Sequence, residues 1–160
     1  MIVILVNIRS LYNVGSIFRT GDATGIEKIY LCGITPRPTD LFGRFRPQLA
    51  KVSLGAEKSV PWDDSARSPR ATLKLLEKLK KEGYKVFAVE QNKKSVPYYK
   101  SKVKSQKSKV ALIFGNEVSG LSQAILKKCD KILEIPMRGK KESLNVSVAF
   151  GIVVFGLLYK

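Results

Sequence analysis

Six short runs rich in β-branched and aromatic residues recur along the chain with helical patterns between them, and this alternation limits the fold more than any other feature. The runs are Ile2 to Val6, Lys28 to Cys32, Lys58 to Trp62, Lys85 to Val89, Val110 to Phe114 and Ile132 to Ile135. Strands and helices alternating in this way predict an α/β fold, a mainly parallel sheet flanked by helices. A length of 160 residues suits one domain, 1–160, with a sizeable hydrophobic core. No internal repeat or interdomain linker is visible.

The helical segments carry their own signals. Pro69 to Glu82 is the clearest, with Ser68 as cap, Pro69 in the first position, Leu73, Leu76 and Leu79 as an inward stripe, and Gly83 as terminator. A second helix is predicted to start near Asn13. At about 100° per residue, Val14, Ile17, Phe18 and Gly21 share one side, while Arg19 points roughly 140° from Val14 and is free to face a cleft. Residues 33 to 55 and 91 to 109 read as long irregular stretches, which in a compact domain tend to be functional or disordered.

Charge narrows the partner. Lys and Arg total 29 against 13 Asp and Glu, a net +16, and so large an excess points to a polyanion such as nucleic acid. Most of it is central: Arg67 to Lys109 holds 14 basic and 3 acidic residues, a net +11. Within that stretch Lys93 to Lys109 has seven lysines, no acids and the pair Tyr98-Tyr99. Lysines there suit phosphate and a tyrosine suits an unpaired base; the alternative is a polar loop with one tyrosine packed on the core.

Several classes are excluded or disfavoured. Histidine is absent, which removes the usual zinc sites and the Ser-His and Cys-His nucleophiles, so no metal is expected. The two cysteines, Cys32 and Cys129, lack CxxC spacing and read as buried thiols of a reducing, cytoplasmic compartment. "MIVILVNIRS" lacks the basic start of a secretory signal. The uncharged run from Ser143 to Tyr159 is at the short limit for a membrane span and is interrupted by polar residues and glycines. It reads better as a helix buried in a core or a subunit interface.

Three stretches could carry chemistry: "NIRSLYNVGSIFRTGDATG" (7 to 25), "LIFGNEVSGLS" (112 to 122) and "LEIPMRGKKESLNVSVAFG" (133 to 151). Each lies at the carboxyl end of a predicted strand, where open α/β sheets collect ligands. None is a GxGxxG fingerprint or a P-loop, so NAD enzymes and P-loop NTPases are disfavoured. In the third stretch Ser143 would serve as a helix cap. Asn145, a mediocre helix former one turn in, asks for a further reason.

Taken together, Asn13, Gly15 and Arg19 in "NVGSIFRT", then "FGNEVSGLS", then "IPMRGKKESLNVSVAF", in that order and over essentially the whole chain, resemble the TrmH-like (SpoU) branch of the SPOUT RNA methyltransferases. The resemblance implies an α/β domain whose C-terminal segment forms a deep trefoil knot, a feature that chain-connectivity rules would not suggest. It also implies S-adenosyl-L-methionine as cofactor, a homodimer, and methylation of a ribose 2′-hydroxyl in tRNA or rRNA. Position by position, Val89, Gly115, Ile135 and Leu144, with Ser143 close by, are expected to line the cofactor pocket. Gly115 would let the ligand approach the main chain. Asn13, Arg19, Glu117, Ser143 and Asn145 are the expected catalytic set.

Arg19 is the foremost catalytic candidate. A guanidinium normally stays protonated, so it is expected to bind a substrate phosphate or the developing oxyanion while the proton leaves through a neighbour. Glu117 could instead be a structural group that orders Asn13 or Arg19. The chain is expected to be close to a bare catalytic domain, with RNA capture by its own basic loops. The charged residues Arg138, Lys140 and Lys141 would form the rim where RNA arrives, and the last helix is expected to pair two copies. Two other functions remain open from sequence: a non-catalytic RNA-binding or ribosome-assembly protein of the same fold, and a base methyltransferase of the guanine N1 type.

Overall fold

The computed structural model describes residues 1–101, 103 and 109–159. Seven strands form one sheet in the order β3-β2-β1-β6-β4-β7-β5, and every recorded strand pairing is parallel. The strands are β1 (Ile2–Val6), β2 (Lys28–Cys32), β3 (Trp62–Asp63), β4 (Lys85–Val89), β5 (Val96–Pro97), β6 (Val110–Phe114) and β7 (Lys131–Glu134). The helices are α1 (Leu11–Ala23), α2 (Pro47–Ser53), α3 (Ala56–Ser59), α4 (Pro69–Lys81), α5 (Gln123–Leu126) and α6 (Val146–Leu158). A 3₁₀ turn spans Tyr98–Lys100.

Burial on both faces explains the near-continuous apolar runs. Along β1, Val3 and Leu5 join the layer under α1 and α6 with Phe18, Phe114 and Phe150. Ile2, Ile4 and Val6 join the opposite layer with Leu75, Leu76 and Leu79 of α4. Phe114 and Phe150 meet edge to face at 5.5 Å, which ties β6 to α6.

Four predicted strands match the structure, and the sixth shifts by one residue to Lys131–Glu134. The predicted strand Lys58 to Trp62 is instead the end of α3 followed by the two-residue β3. Leu54 and Gly55, both at positive φ, break α2 and start a new helical turn. Ser53 then donates to the buried Glu57 carboxylate, which fixes that turn. The stretch read as irregular, 33 to 55, contains α2; Pro47 at its first helical position was the available signal. In α4 the Ser68 cap is present, its Oγ accepting from the Ala71 N–H at 3.1 Å, and the buried leucines are Leu75, Leu76 and Leu79, with Leu73 half-buried.

Part of the basic stretch Lys93 to Lys109, including Lys102, Lys104 and Lys107, lies outside the described residues. Of its tyrosines, Tyr98 packs on the core against Gly156 of α6, where any Cβ would strike the ring. Tyr99 is the exposed one. Among the described residues no helix is long and apolar enough to cross a membrane.

Burial pushes the thiol of Cys32 up to about 12 and that of Cys129 up to about 11. Their raised values favour the fold fully below the ordinary thiol pKa of about 8.5, and that contribution fades as pH climbs from there toward the folded values. At pH 8 iodoacetamide is therefore expected to label native protein far more slowly than unfolded protein, with Cys32 slower than Cys129. Peptide mass spectrometry that found both labelled at the unfolded rate would contradict this.

Candidate functional site

Because the strands run parallel, the loops after β1, β4, β6 and β7 leave from one edge of the sheet. Three of them, after β4, β6 and β7, enclose an open-mouthed cleft with about 610 Å³ of free space, open solvent at its mouth included. Its walls include Val89, Gly115, Ile135, Ser143 and Leu144, all five expected pocket residues. Glu90, Gln91, Phe114, Asn116, Glu117, Glu134, Met137, Val146 and Ala149 complete it.

Several side chains that sequence reasoning passed over fix these loops. Glu90 accepts from the Leu121 N–H at 2.9 Å and the Gln91 N–H at 3.1 Å. Gln91 Nε2 donates to the Ile135 carbonyl at 2.8 Å, joining the first loop to the third. Asn116, buried, donates to the Asn7 carbonyl at 2.9 Å and accepts from the Val118 and Ser119 N–H groups. No local pattern marks Glu90 or Gln91, since the loops they tie down, through Leu121 and Ile135, lie far away in sequence.

Gly115 has a structural reason of its own. A Cβ there would sit 2.6 Å from the Gly120 carbonyl carbon and 2.8 Å from both its oxygen and the Leu121 nitrogen. The missing side chain lets the loop after β6 fold back on itself. Gly15, likewise, would drive a Cβ to 2.8 Å from the Leu49 carbonyl oxygen, so it seats α2 against α1.

Ser143 does not cap the last helix. The cap is Asn145, whose Oδ1 accepts from the Ser147 N–H at 2.9 Å and from the Ser147 hydroxyl at 2.6 Å. Asparagine leads the cap ranking, and Ser143 stands two residues outside the helix on the cleft wall. Asn145 then spends its Nδ2 on Asn13 Oδ1 at 3.0 Å, and Asn13 Nδ2 donates to Glu117 Oε1 at 2.6 Å. One polar line thus joins α1, the loop after β6 and the start of α6.

Arg19 stands apart. It is exposed on α1, is no part of the cleft wall, and lies about 9 Å further along the axis than Asn13 and about 120° round it. It makes no ion pair among the described residues.

The charge of the cleft opposes that of the chain. Glu90, Glu117 and Glu134 line it and no Lys or Arg among the described residues does, although the chain carries a net +16. Glu90 is committed to main-chain N–H groups and Glu134 accepts from Ser95 Oγ at 2.6 Å. Glu117 keeps Oε2 without a hydrogen bond among the described residues. Among the described residues no group of three or more His, Cys, Asp and Glu could hold a metal ion.

Comparison with known proteins places this arrangement. The chain is 32% identical over 161 residues to a putative TrmH family tRNA/rRNA methyltransferase of Staphylococcus aureus (strain COL), matching 99% of this chain and 58% of that protein. It is 30% identical over 155 residues to a 23S rRNA (guanosine-2′-O-)-methyltransferase of Photorhabdus laumondii, covering 96% of this chain and 57% of the relative. The crystal structure of an AdoMet-bound rRNA methyltransferase from Sinorhizobium meliloti superposes with a TM-score of 0.82 at 28% identity, over 98% of this chain and 54% of that one. The chain therefore spans a little over half the length of these relatives. Residues 1–155 match the SpoU rRNA Methylase family, and the chain belongs to that family, the TrmH/SpoU class of RNA methyltransferases.

Proposed function

We propose that this chain, acting as one domain over 1–160, transfers a methyl group from S-adenosyl-L-methionine to a ribose 2′-hydroxyl of tRNA or rRNA. The carrying observation is the Asn145–Asn13–Glu117 line at the mouth of a carboxylate-lined cleft. Val89, Ile135 and Leu144 supply apolar wall for an adenine, Gly115 supplies main chain, and Ser143 stands at the rim. The cofactor, when bound, supplies an electrophilic methyl on a positively charged sulfur. Glu90, Glu117 and Glu134 suit that charge, which disappears on transfer, so they hold the spent product less strongly than the reactant.

Within this reading Glu117 takes the proton that the 2′-hydroxyl must lose, through its unbonded Oε2, while Asn13 holds Oε1 in place. Asn145 orients Asn13 and stands beside the reacting oxygen. The exposure of Arg19 supports a role on an RNA phosphate or the developing oxyanion rather than inside the cleft. Arg138, Lys140 and Lys141, all exposed, supply the rim for RNA. The segment from Ile135 to Asn145 lines the cleft and leads into α6, against which Tyr98 of the β4–β6 connection packs; this packing supports the trefoil knot. Val148, Phe155 and Tyr159, exposed on or just after α6, support a homodimer through that helix, and light scattering that returned a monomer mass would remove the dimer.

The direct test is mass spectrometry of digested tRNA and rRNA after incubation with the protein and S-adenosyl-L-methionine. Methyl on ribose is expected, reduced about a hundredfold by Arg19→Ala with cofactor binding intact. Methyl on a base, or RNA binding with neither cofactor binding nor methylation, would replace the reading with one of its two competitors.

A further inference from the structure

We infer that the tip of the loop after β2 is a stacking platform for an unpaired nucleotide of the RNA, an inference that rests on the proposed RNA substrate and adds a contact to it. The stretch 36–47 reads "PRPTDLFGRFRP". It folds into a short antiparallel hairpin with Thr39 opposite Phe45, and Gly43 takes positive φ at the turn. Asp40 holds that turn, its Oδ1 accepting from the Phe42 and Arg44 N–H groups at 2.8 and 3.0 Å and its Oδ2 from Arg44 Nε at 3.0 Å. The base of the hairpin is fixed as well, through the Arg46 N–H to the Pro38 carbonyl at 2.8 Å.

The root of the loop is tied to the sheet. Thr35, fully buried, donates to the Leu5 and Cys32 carbonyls and accepts from the Ile8 N–H at 3.1 Å. Arg67 donates to the Gly33 and Thr35 carbonyls. A tip fastened at both ends would normally turn its apolar side chains inward. Here Leu41 and Phe42 stand 83% and 82% exposed.

The surroundings choose the occupant. Arg44 lies over the Phe42 ring at 5.2 Å, and two more arginines flank the tip: Arg37, whose Nε pairs with Asp64 at 3.4 Å, and Arg46, whose Nε donates to the Thr39 carbonyl at 3.2 Å. An open aromatic ring beside guanidinium groups matches a base stacked on its π-face with its phosphate on the cations. A protein partner would more often meet an apolar tip with an apolar rim. The loop leaves β2 at the same edge of the sheet as the cleft loops, so a nucleotide neighbouring the target can reach it.

The test uses the full chain, a short oligouridylate carrying one central 2-aminopurine, and a blunt RNA duplex as control. Wild-type protein is expected to quench the 2-aminopurine on binding. Phe42→Ala is expected to weaken oligouridylate binding about tenfold, to remove the quenching, and to leave duplex affinity, melting temperature and S-adenosyl-L-methionine affinity unchanged. Its log–log salt dependence should stay as in wild type, whereas Arg44→Gln should lower the slope by about 0.7 if it loses one phosphate. Oligouridylate affinity unchanged in Phe42→Ala, quenching that persists, or a change in oligomer mass marking the tip as a self-association site would each overturn the inference. Loss of methyl transfer and cofactor binding in wild type, with stacking retained, would instead fail the proposed enzyme and leave the platform standing.

Discussion

Asn145→Asp is expected to keep the fold and lose the reaction. Aspartate retains the acceptor that caps α6 through the Ser147 N–H and places negative charge at the helix start, where it is favourable. It lacks the amide donor that meets Asn13 Oδ1 at 3.0 Å, and it sets a carboxylate beside the Asn13–Glu117 pair. Methyl transfer should fall about a hundredfold, the usual cost of removing one well-placed polar group from a reaction site. The melting temperature should stay within about 2 °C. Asn145→Ala loses both jobs, so it should lose activity to a similar extent and also about 1 kcal/mol of stability. If the aspartate variant transferred methyl normally, Asn145 would be only a cap.

Gly115→Ala is expected to do the reverse, damaging the structure first. The added Cβ meets main-chain atoms of Gly120 and Leu121 at 2.6 to 2.8 Å, which cannot rotate away as a side chain would. The loop it strikes is anchored by Glu90 and by Asn116. A destabilisation of about 2 to 3 kcal/mol follows, seen as a melting temperature lower by about 5 to 10 °C. Because Gly115 is itself cleft wall, S-adenosyl-L-methionine affinity should drop tenfold or more, about 1.4 kcal/mol of binding. Calorimetry showing full stability with weak cofactor binding would return Gly115 to the role first read from sequence, a seat for the ligand.

The contrast between these two positions shows what the sequence discloses. Strands β1, β2, β4 and β6 were legible because parallel strands buried on both faces write themselves as unbroken apolar runs. Helix α4 was legible from its cap, its proline and its terminating glycine. The expected cleft wall of Val89, Gly115, Ile135, Ser143 and Leu144 comes together as one surface. What stayed hidden depends on distant partners: Glu90 as the clasp of the loop after β6, Gln91 as the link to Ile135, and Gly15 as the seat of α2. Asn145 was singled out as a poor helix former one turn inside the last helix, but it stands at the helix start, where asparagine is favoured. Its capping was missed because the helix begins later than its apolar run suggests.

The strand order also governs how the chain reaches this state. β1 is made first, yet its inner neighbour is β6, with Ile2 opposite Ala111. β4 likewise finds one side only when β6 slides between it and β1. During synthesis the early strands must wait with unpaired edges until well over half the chain has emerged, and the segment leading into α6 arrives later still. A ladder closed across such sequence distances forms slowly and is exposed to mispairing while it waits. Refolding from denaturant is expected to wait on the insertion of β6, the strand on which both the sheet and the cleft depend.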